Sequence, residues 1–285
     1  MEYRKFYIQN DAGEQWGLQG ERGIYFVGPS GLGLQNKNLT ADLGHGFFKK
    51  LDAFSFPAQP VAGELVFLPP AAYQVYREFV RWISAASQLL LLYRPYGTDT
   101  FQAIGSVDYL RKSELEGPRI LRCAFQFTPQ TPWYKPQTMD LVMQDAAENA
   151  MKYPFTYDAD LTYGSDLVGS WAVKITPAGM IPASLSFSFS GAATDPILTL
   201  TGQNTNTEYG RCAITGEITG LEFSSLYTDS YVRDGSGADL MDDVDPAYDP
   251  FFRVPLTEPC ILRLQASNTL AGSASVSVNY FYRSV

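Results

Sequence analysis

Few residues in the chain are suited to acid–base or nucleophilic chemistry. A single histidine, His45, stands between Gly44 and Gly46, so any Ser-His-Asp or Cys-His scheme has to run through it. No serine or cysteine is marked out by its surroundings as a nucleophile. Gly28-Pro29-Ser30-Gly31-Leu32 misses the GxSxG pattern because Leu32 holds the last glycine position. The same stretch lacks the Gly-Lys-Ser/Thr of a phosphate loop and the glycine order of a dinucleotide fingerprint. It reads as a turn or an exposed loop. A hydrolase is the least supported reading, and no catalytic residue, metal or cofactor is expected.

Carboxylates are more plentiful. Asp234–Asp249 (DGSGADLMDDVDPAYD) holds six aspartates, which is oxygen-rich enough for Ca²⁺. It does not match the twelve-residue helix-flanked loop, and acids in a long surface loop are commonly just solvated. Asp158-Ala159-Asp160 shares a face only in the way any i, i+2 pair on a strand does. Glycoside hydrolysis needs two carboxylates across a cleft, and no local feature selects such a pair. Sugar binding without hydrolysis would use an aromatic platform; Trp171 is the only tryptophan of the second half, and its place beside the strand-like Ala172–Ile175 fits a core position as well. Cys123, Cys212 and Cys260 show no metal-ligand spacing and read as reduced core residues.

The length of 285 residues exceeds one ordinary domain. An apolar content of 45% with 24 Gly and 18 Pro favours a globular, turn-rich, mainly β protein. Charge is uneven: the chain carries +2 through Gln137 and −11 from Thr138 onward. The acidic half should repel phosphate, which excludes sequence-specific nucleic-acid binding and an anionic membrane surface while permitting a passing encounter with DNA. The opening MEYRKFYIQNDAGEQWG lacks the apolar core of a signal peptide, and no run reaches the ~18 apolar residues of a membrane span, so no membrane anchoring is expected.

Organisation follows from Gly117–Pro136. Ile120–Phe127 alternates Ile120, Arg122, Ala124 and Gln126 against Leu121, Cys123, Phe125 and Phe127, a strand read as covered on much of both faces. Pro129, Pro132 and Pro136 then end the sheet, giving domains 1–137 and 138–285 joined at Pro132, Trp133, Tyr134 and Pro136. The first half opens with a hairpin, Tyr3–Gln9 and Gln15–Leu18, around the turn Asn10–Gly13. Further strands are read at Ile24–Val27, Phe47–Phe54, Glu64–Leu68, Leu89–Arg94 and Phe101–Leu110. One helix, 71–87, places Ala72, Val75, Tyr76, Phe79, Val80 and Ile83 on one face. In the second half Asp140–Met151 fits helix or strand equally, and Tyr153–Tyr163 reads as a strand pair. Ser184–Ser190 is strictly period-2 with Leu185, Phe187 and Phe189 inward, and Ile197–Thr201, Ile214–Phe223, Ile261–Ala266 and Val276–Tyr282 follow the same rule. That half is an antiparallel β-sandwich or jelly roll.

The order of these features resembles the distal tail proteins of long-tailed, non-contractile bacteriophages over essentially the whole chain. The matching pieces are the opening hairpin, Pro29-Ser30-Gly31-Leu32-Gly33, and the strand ending in Thr131-Pro132-Trp133-Tyr134. In the second half they are Tyr153-Pro154 with Tyr157 and Tyr163, Pro177-Ala178-Gly179, Ala183-Ser184-Leu185, Gly191, Asp195-Pro196-Ile197 and the closing Val276–Val285. The resemblance implies a structural virion protein of the tail tip or baseplate. Its first domain, a β-sandwich with a helix, would form a homohexameric ring beneath the tail tube protein; its galectin-like second domain would project outward. DNA would pass through the ring, which would hold the tail-associated hub or lysin protein and receptor-binding proteins. Such a protein is assembled in the host cytoplasm and ends at the distal end of the tail. Sugar-binding galectins use a histidine, and this second half has none, so a carbohydrate-binding module for host cell walls is the runner-up reading. Phe101, Ile104, Val107 and Tyr109 with Leu121, Cys123, Phe125 and Phe127 are the expected subunit interface, as a hairpin pairing edge to edge with the next copy.

Overall fold

A computed structural model describes residues 4–33, 59–96, 99–113, 119–144, 170–226, 229–268, 270–283 and 285. His45, the strand expected at Phe47–Phe54, Asp158-Ala159-Asp160 and Tyr153–Tyr163 lie outside the described residues. The chain divides into two compact units, Met1–Lys135 with Phe281–Val285, and Pro136–Tyr280. It therefore crosses between them twice, and its last five residues belong to the first unit instead of to the second domain expected over 138–285.

In the first unit the apolar/polar alternation of the opening residues forms β1 (Lys5–Asn10) and β2 (Gln15–Gly17), with Ile8 opposite Trp16. Gly13, at φ +79°, closes the turn by donating its N–H to the Asn10 carbonyl; a left-handed residue there favours glycine. Then come β3 (Ile24–Ser30), β4 (Val61–Phe67), α1 (Ala72–Ala85), β5 (Leu89–Arg94), β6 (Phe101–Lys112), β7 (Leu121–Pro129) and β8 (Trp133–Asp140). All pairings are antiparallel. The first half of β6 lies beside β5, which continues to β1 and β2; its second half lies beside β7, which continues to β4 and β3. One bent strand thus serves two sheets, and aromatic rings fill the space between them: Phe6 stands edge-on to Phe26 and stacks on Tyr93, and Phe26 meets Phe125.

The helix has no side-chain N-cap, no acid in its first turn and no base in its last, so packing holds it and capping does not. Phe79 is fully buried among Trp16, Phe67 and Trp82, and Gln74, Arg77, Glu78, Arg81 and Ser84, away from the apolar face, are exposed. Trp82 was expected on neither face; it packs against the core while its indole N–H donates to Glu14 at 2.9 Å.

Two expectations need correction. Strand β7 buries one face only: Leu121, Cys123, Phe125 and Phe127 point in, and Arg122 and Ala124 are exposed. Pro136 does not stop the sheet, because β8 runs on to Asp140. The bridge from β8 to β6 is confined to Tyr134 opposite Gln102, so at the exposed Pro136 the missing N–H falls where β6 asks for no partner.

The second unit contains the remainder of β8, then β9 (Val142–Gln144), β10 (Ser170–Ile175), β11 (Ile181–Thr194), β12 (Ile197–Gly202), β13 (Glu208–Ala213), β14 (Glu217–Ser225), β15 (Ser230–Asp234), β16 (Cys260–Gln265) and β17 (Ser273–Tyr282). One sheet has the order β15-β14-β11-β17 and the other β13-β12-β16-β10-β9. Leu185, Phe187 and Phe189 point inward as their period-2 spacing requires, joined by Phe223, Val276, Val278, Leu198, Leu200, Leu262 and Leu264. This is the expected antiparallel sandwich. Val142–Gln144 settles the start of Asp140–Met151 as strand.

Candidate functional site

A groove of about 480 Å³ lies between α1 and β6 in the first unit. Strand β5 pairs with β6 only as far as Leu89 opposite Gly105. Beyond that point Ser106–Lys112 pairs with β7 on one side and with no other described strand. The opposite wall is the half-buried helix surface of Tyr76, Val80 and Ile83, with Ser84 at the rim. A row of unpaired backbone donors and acceptors beside an apolar wall is the geometry that accepts an added strand. The charges on this edge are occupied locally: Asp108 accepts from Gln126 at 2.7 Å and from Thr128, Arg111 lies over Tyr109 and Lys112 over Tyr73.

Of the eight residues expected to meet a second copy, Val107 and Tyr109 line this groove. Ile104 and Phe101 are half-buried on the same strand, and Phe101 is edge-on to Tyr282 at 5.1 Å. Leu121, Cys123, Phe125 and Phe127 are fully enclosed in the unit's own core. A side chain with no exposed surface has none to offer a neighbour, so these four leave the interface set. Val80, Ile83 and Ser84 were not singled out from sequence; only the helix crossing brings them opposite β6.

The joint residues are well anchored. Trp133 is buried against Tyr93, Tyr134 contacts Phe281, and Pro132 is half-buried. Burial pushes the Tyr134 phenol up, a hydrogen bond with Gln102 partly opposing it.

Elsewhere the chemistry-bearing side chains are used structurally. Ser30 lies in β3, not in a loop, and donates to the Ala62 carbonyl at 3.1 Å. Four aspartates of Asp234–Asp249 fold their own turns: Asp234 accepts from Ser236 and Ala238, Asp239 from Met241, Asp245 from Ala247 and Asp249 from Phe251. Among the described residues no group of three or more acids, histidines or cysteines is placed to hold a metal. Trp171 is half-buried on β10 between Leu264 and Met143 on the neighbouring strands, with its N–H enclosed and unpartnered; it is not an open stacking platform. Burial pushes the thiols of Cys123 and Cys260 up to about 11 and of Cys212 up to about 12, which keeps them protonated and inert. Glu258, unnoticed in the sequence, is the most elaborately held acid. It accepts from the Thr205 and Tyr209 hydroxyls and from the backbone of Asn204 and Thr205, which lowers its carboxyl to about 2.

This arrangement is a β-sheet unit whose β6 edge at Ser106–Lys112 has no strand partner on one side among the described residues. Residues 5–130 match the distal tail protein N-terminal domain. The whole chain is similar in fold to a chain of the phage P2 baseplate in its activated conformation with Ca, at 16% identity and a TM-score of 0.64 over 100% of both chains. It is likewise similar to the Dit protein of phage SPP1, described as a paradigm of the hub adsorption apparatus of phages infecting Gram-positive hosts. There the identity is 10% and the TM-score 0.58 over 96% of this chain and 98% of that one. No curated protein matches the sequence. Residues 5–130 are thus similar to the distal tail protein N-terminal domain, and the whole chain shares the fold of a phage baseplate chain and of a hub protein.

Proposed function

We propose that the chain closes into a homohexameric ring at the distal end of a long-tailed phage tail, joining the tail tube protein to the hub or lysin protein. DNA passes through without sequence-specific contact, receptor-binding proteins attach around it, and assembly takes place in the host cytoplasm. The observation that carries this reading is the edge of β6 at Ser106–Lys112, which has no strand partner on one side among the described residues and lies beside Val80 and Ile83. A head-to-tail contact that places a strand of one copy in that groove of the next closes into a ring when the rotation permits. The match of residues 5–130 to the distal tail protein N-terminal domain and the likeness in fold to a baseplate chain and a hub protein support the same reading.

Ser84→Arg tests it. Ser84 is exposed at the groove rim, so a bulky cation there blocks an incoming strand and leaves the core untouched. The expected result is an unchanged circular dichroism spectrum and melting curve with loss of the ring by light scattering and negative-stain microscopy. Rings that persist in a folded Ser84→Arg, Val80→Lys double variant would remove the groove from the contact.

A further inference from the structure

The second unit is strongly acidic, with seven Lys and Arg against eighteen Asp and Glu from Thr138 onward. Three of those seven cations nevertheless share one sheet face. Cross-strand partners in an antiparallel sheet lie on the same side. Thr199 on β12 is opposite Arg263 on β16 and Arg211 on β13, so the two arginines flank one hydroxyl from the two neighbouring strands. Lys174, opposite Ile261 beside this row, is exposed on the same side. The other side of these strands is the core, with Leu198, Leu200, Leu262, Leu264 and Cys212 buried.

The Nε of Arg263 and that of Arg211 are enclosed and have no hydrogen-bond partner, and among the described residues no ion pair engages Arg263. Arg211 lies over the Tyr248 ring at 5.1 Å, and its nearest acid, Glu208, stands at 3.8 Å, beyond hydrogen-bonding distance. Stacking on Tyr248 fixes the plane of the Arg211 fork. Two such forks across a hydroxyl suit a planar or tetrahedral oxyanion, which an arginine grips through paired N–H donors. Ile197, Thr201 and Ile261 are half-exposed on the same face, supplying further hydroxyl and apolar surface for a sugar ring. The acidic stretch through Asp242, Asp243 and Asp245 borders β13, where the Asp245 N–H donates to the Ala213 carbonyl. That charge repels an extended polyanion such as nucleic acid and admits a single compact anionic group.

We propose that the outer face of β16, β12 and β13 binds a compact oxyanion carried on a saccharide, a carboxylate or phosphate gripped by Arg263 and Arg211 across Thr199. The site does not depend on ring closure, and it differs from an aromatic sugar platform in asking for charge.

Titration calorimetry of the full chain at low salt with sodium D-glucuronate, inorganic phosphate and D-glucose tests it. Glucuronate binds one saturable site with a dissociation constant in roughly the millimolar range, phosphate binds more weakly at the same site, and glucose does not bind. Arg263→Ala and Arg263→Lys each weaken glucuronate at least tenfold, the second keeping the charge and losing the fork. Arg233→Ala, which removes the same charge from the other sheet, leaves binding unchanged. Absence of glucuronate binding, an equal loss in Arg233→Ala, or glucose binding as tightly as glucuronate overturns the proposal. Phosphate binding without glucuronate binding overturns its saccharide part.

Discussion

In the first unit β6 outruns β5 and leaves seven residues, Ser106–Lys112, paired on one side only among the described strands, next to the apolar surface of Val80 and Ile83. In the second unit the described edge strands β13, β15 and β9 are six, five and three residues long, and the first two carry Glu208 and Arg211, and Arg233 and Asp234. Short, charged edges deter pairing with another chain, and a long edge beside an apolar wall invites it. The charges of β6 are held by its own neighbours, so they do not guard it. In the proposed ring the contrast would place self-assembly in the first unit and leave the sheet faces of the second for ligands.

The cores differ as well, and the largest predicted effect follows from that. The first unit is packed around rings, with Phe79 at the centre of Trp16, Phe67 and Trp82. Phe79→Ala should cost about 3–5 kcal/mol, lowering the denaturation midpoint of the unit that holds Trp16, Trp82 and Trp133 and leaving the Trp171-containing unit unchanged. If both units melt earlier by the same amount, their independence is wrong. The second unit depends more on backbone approach: Gly272 has φ +132°, and a Cβ there would lie 1.7 Å from the Ser190 carbonyl oxygen. Gly272→Ala is therefore expected to destabilise that unit alone by about 1–3 kcal/mol, read as a lower urea midpoint.

A smaller effect concerns pH. Glu258 is ionised in the folded second unit down to about 2, against an ordinary value of 4.5. A carboxyl lowered on folding adds stability above its unfolded value, and that contribution fades as pH falls from about 4.5 toward 2. Glu258→Gln should flatten the acid limb of the second unit's stability profile in that window and leave the first unit's profile alone. An unchanged acid limb would show that other carboxylates govern it. Last, all three cysteines should resist Ellman's reagent at pH 8 in the native protein and react once it is unfolded; rapid native labelling of Cys123 would mean that the first unit opens more readily than its ring-packed core implies.

Legibility followed the range of the interactions. The hairpin at Lys5–Gly17, the helix and the inward Leu185, Phe187 and Phe189 were readable because each rests on spacing within a dozen residues. Strands β13 and β15 escaped because a bulge at Leu200/Thr201 and interspersed Gly210 and Asp234 break their alternation. The burial of one face of β7 depended on what lay across it, as did the return of Phe281–Val285 to the first unit. Of the groove, Val107 and Tyr109 were visible as apolar positions on a strand, whereas Val80, Ile83 and Ser84 needed the helix crossing. The row Arg263–Thr199–Arg211 spans more than sixty residues of sequence and exists only in the register of three strands.

The central claim is that the free edge of β6 was shaped for another copy of the same chain. Light scattering on the purified full-length protein, with the particles classified by negative-stain microscopy, tests it most directly: the account predicts closed rings at six times the 31.6 kDa of one chain, lost in Ser84→Arg. A chain that remains single both alone and when mixed with the proposed tail tube and hub proteins would contradict it.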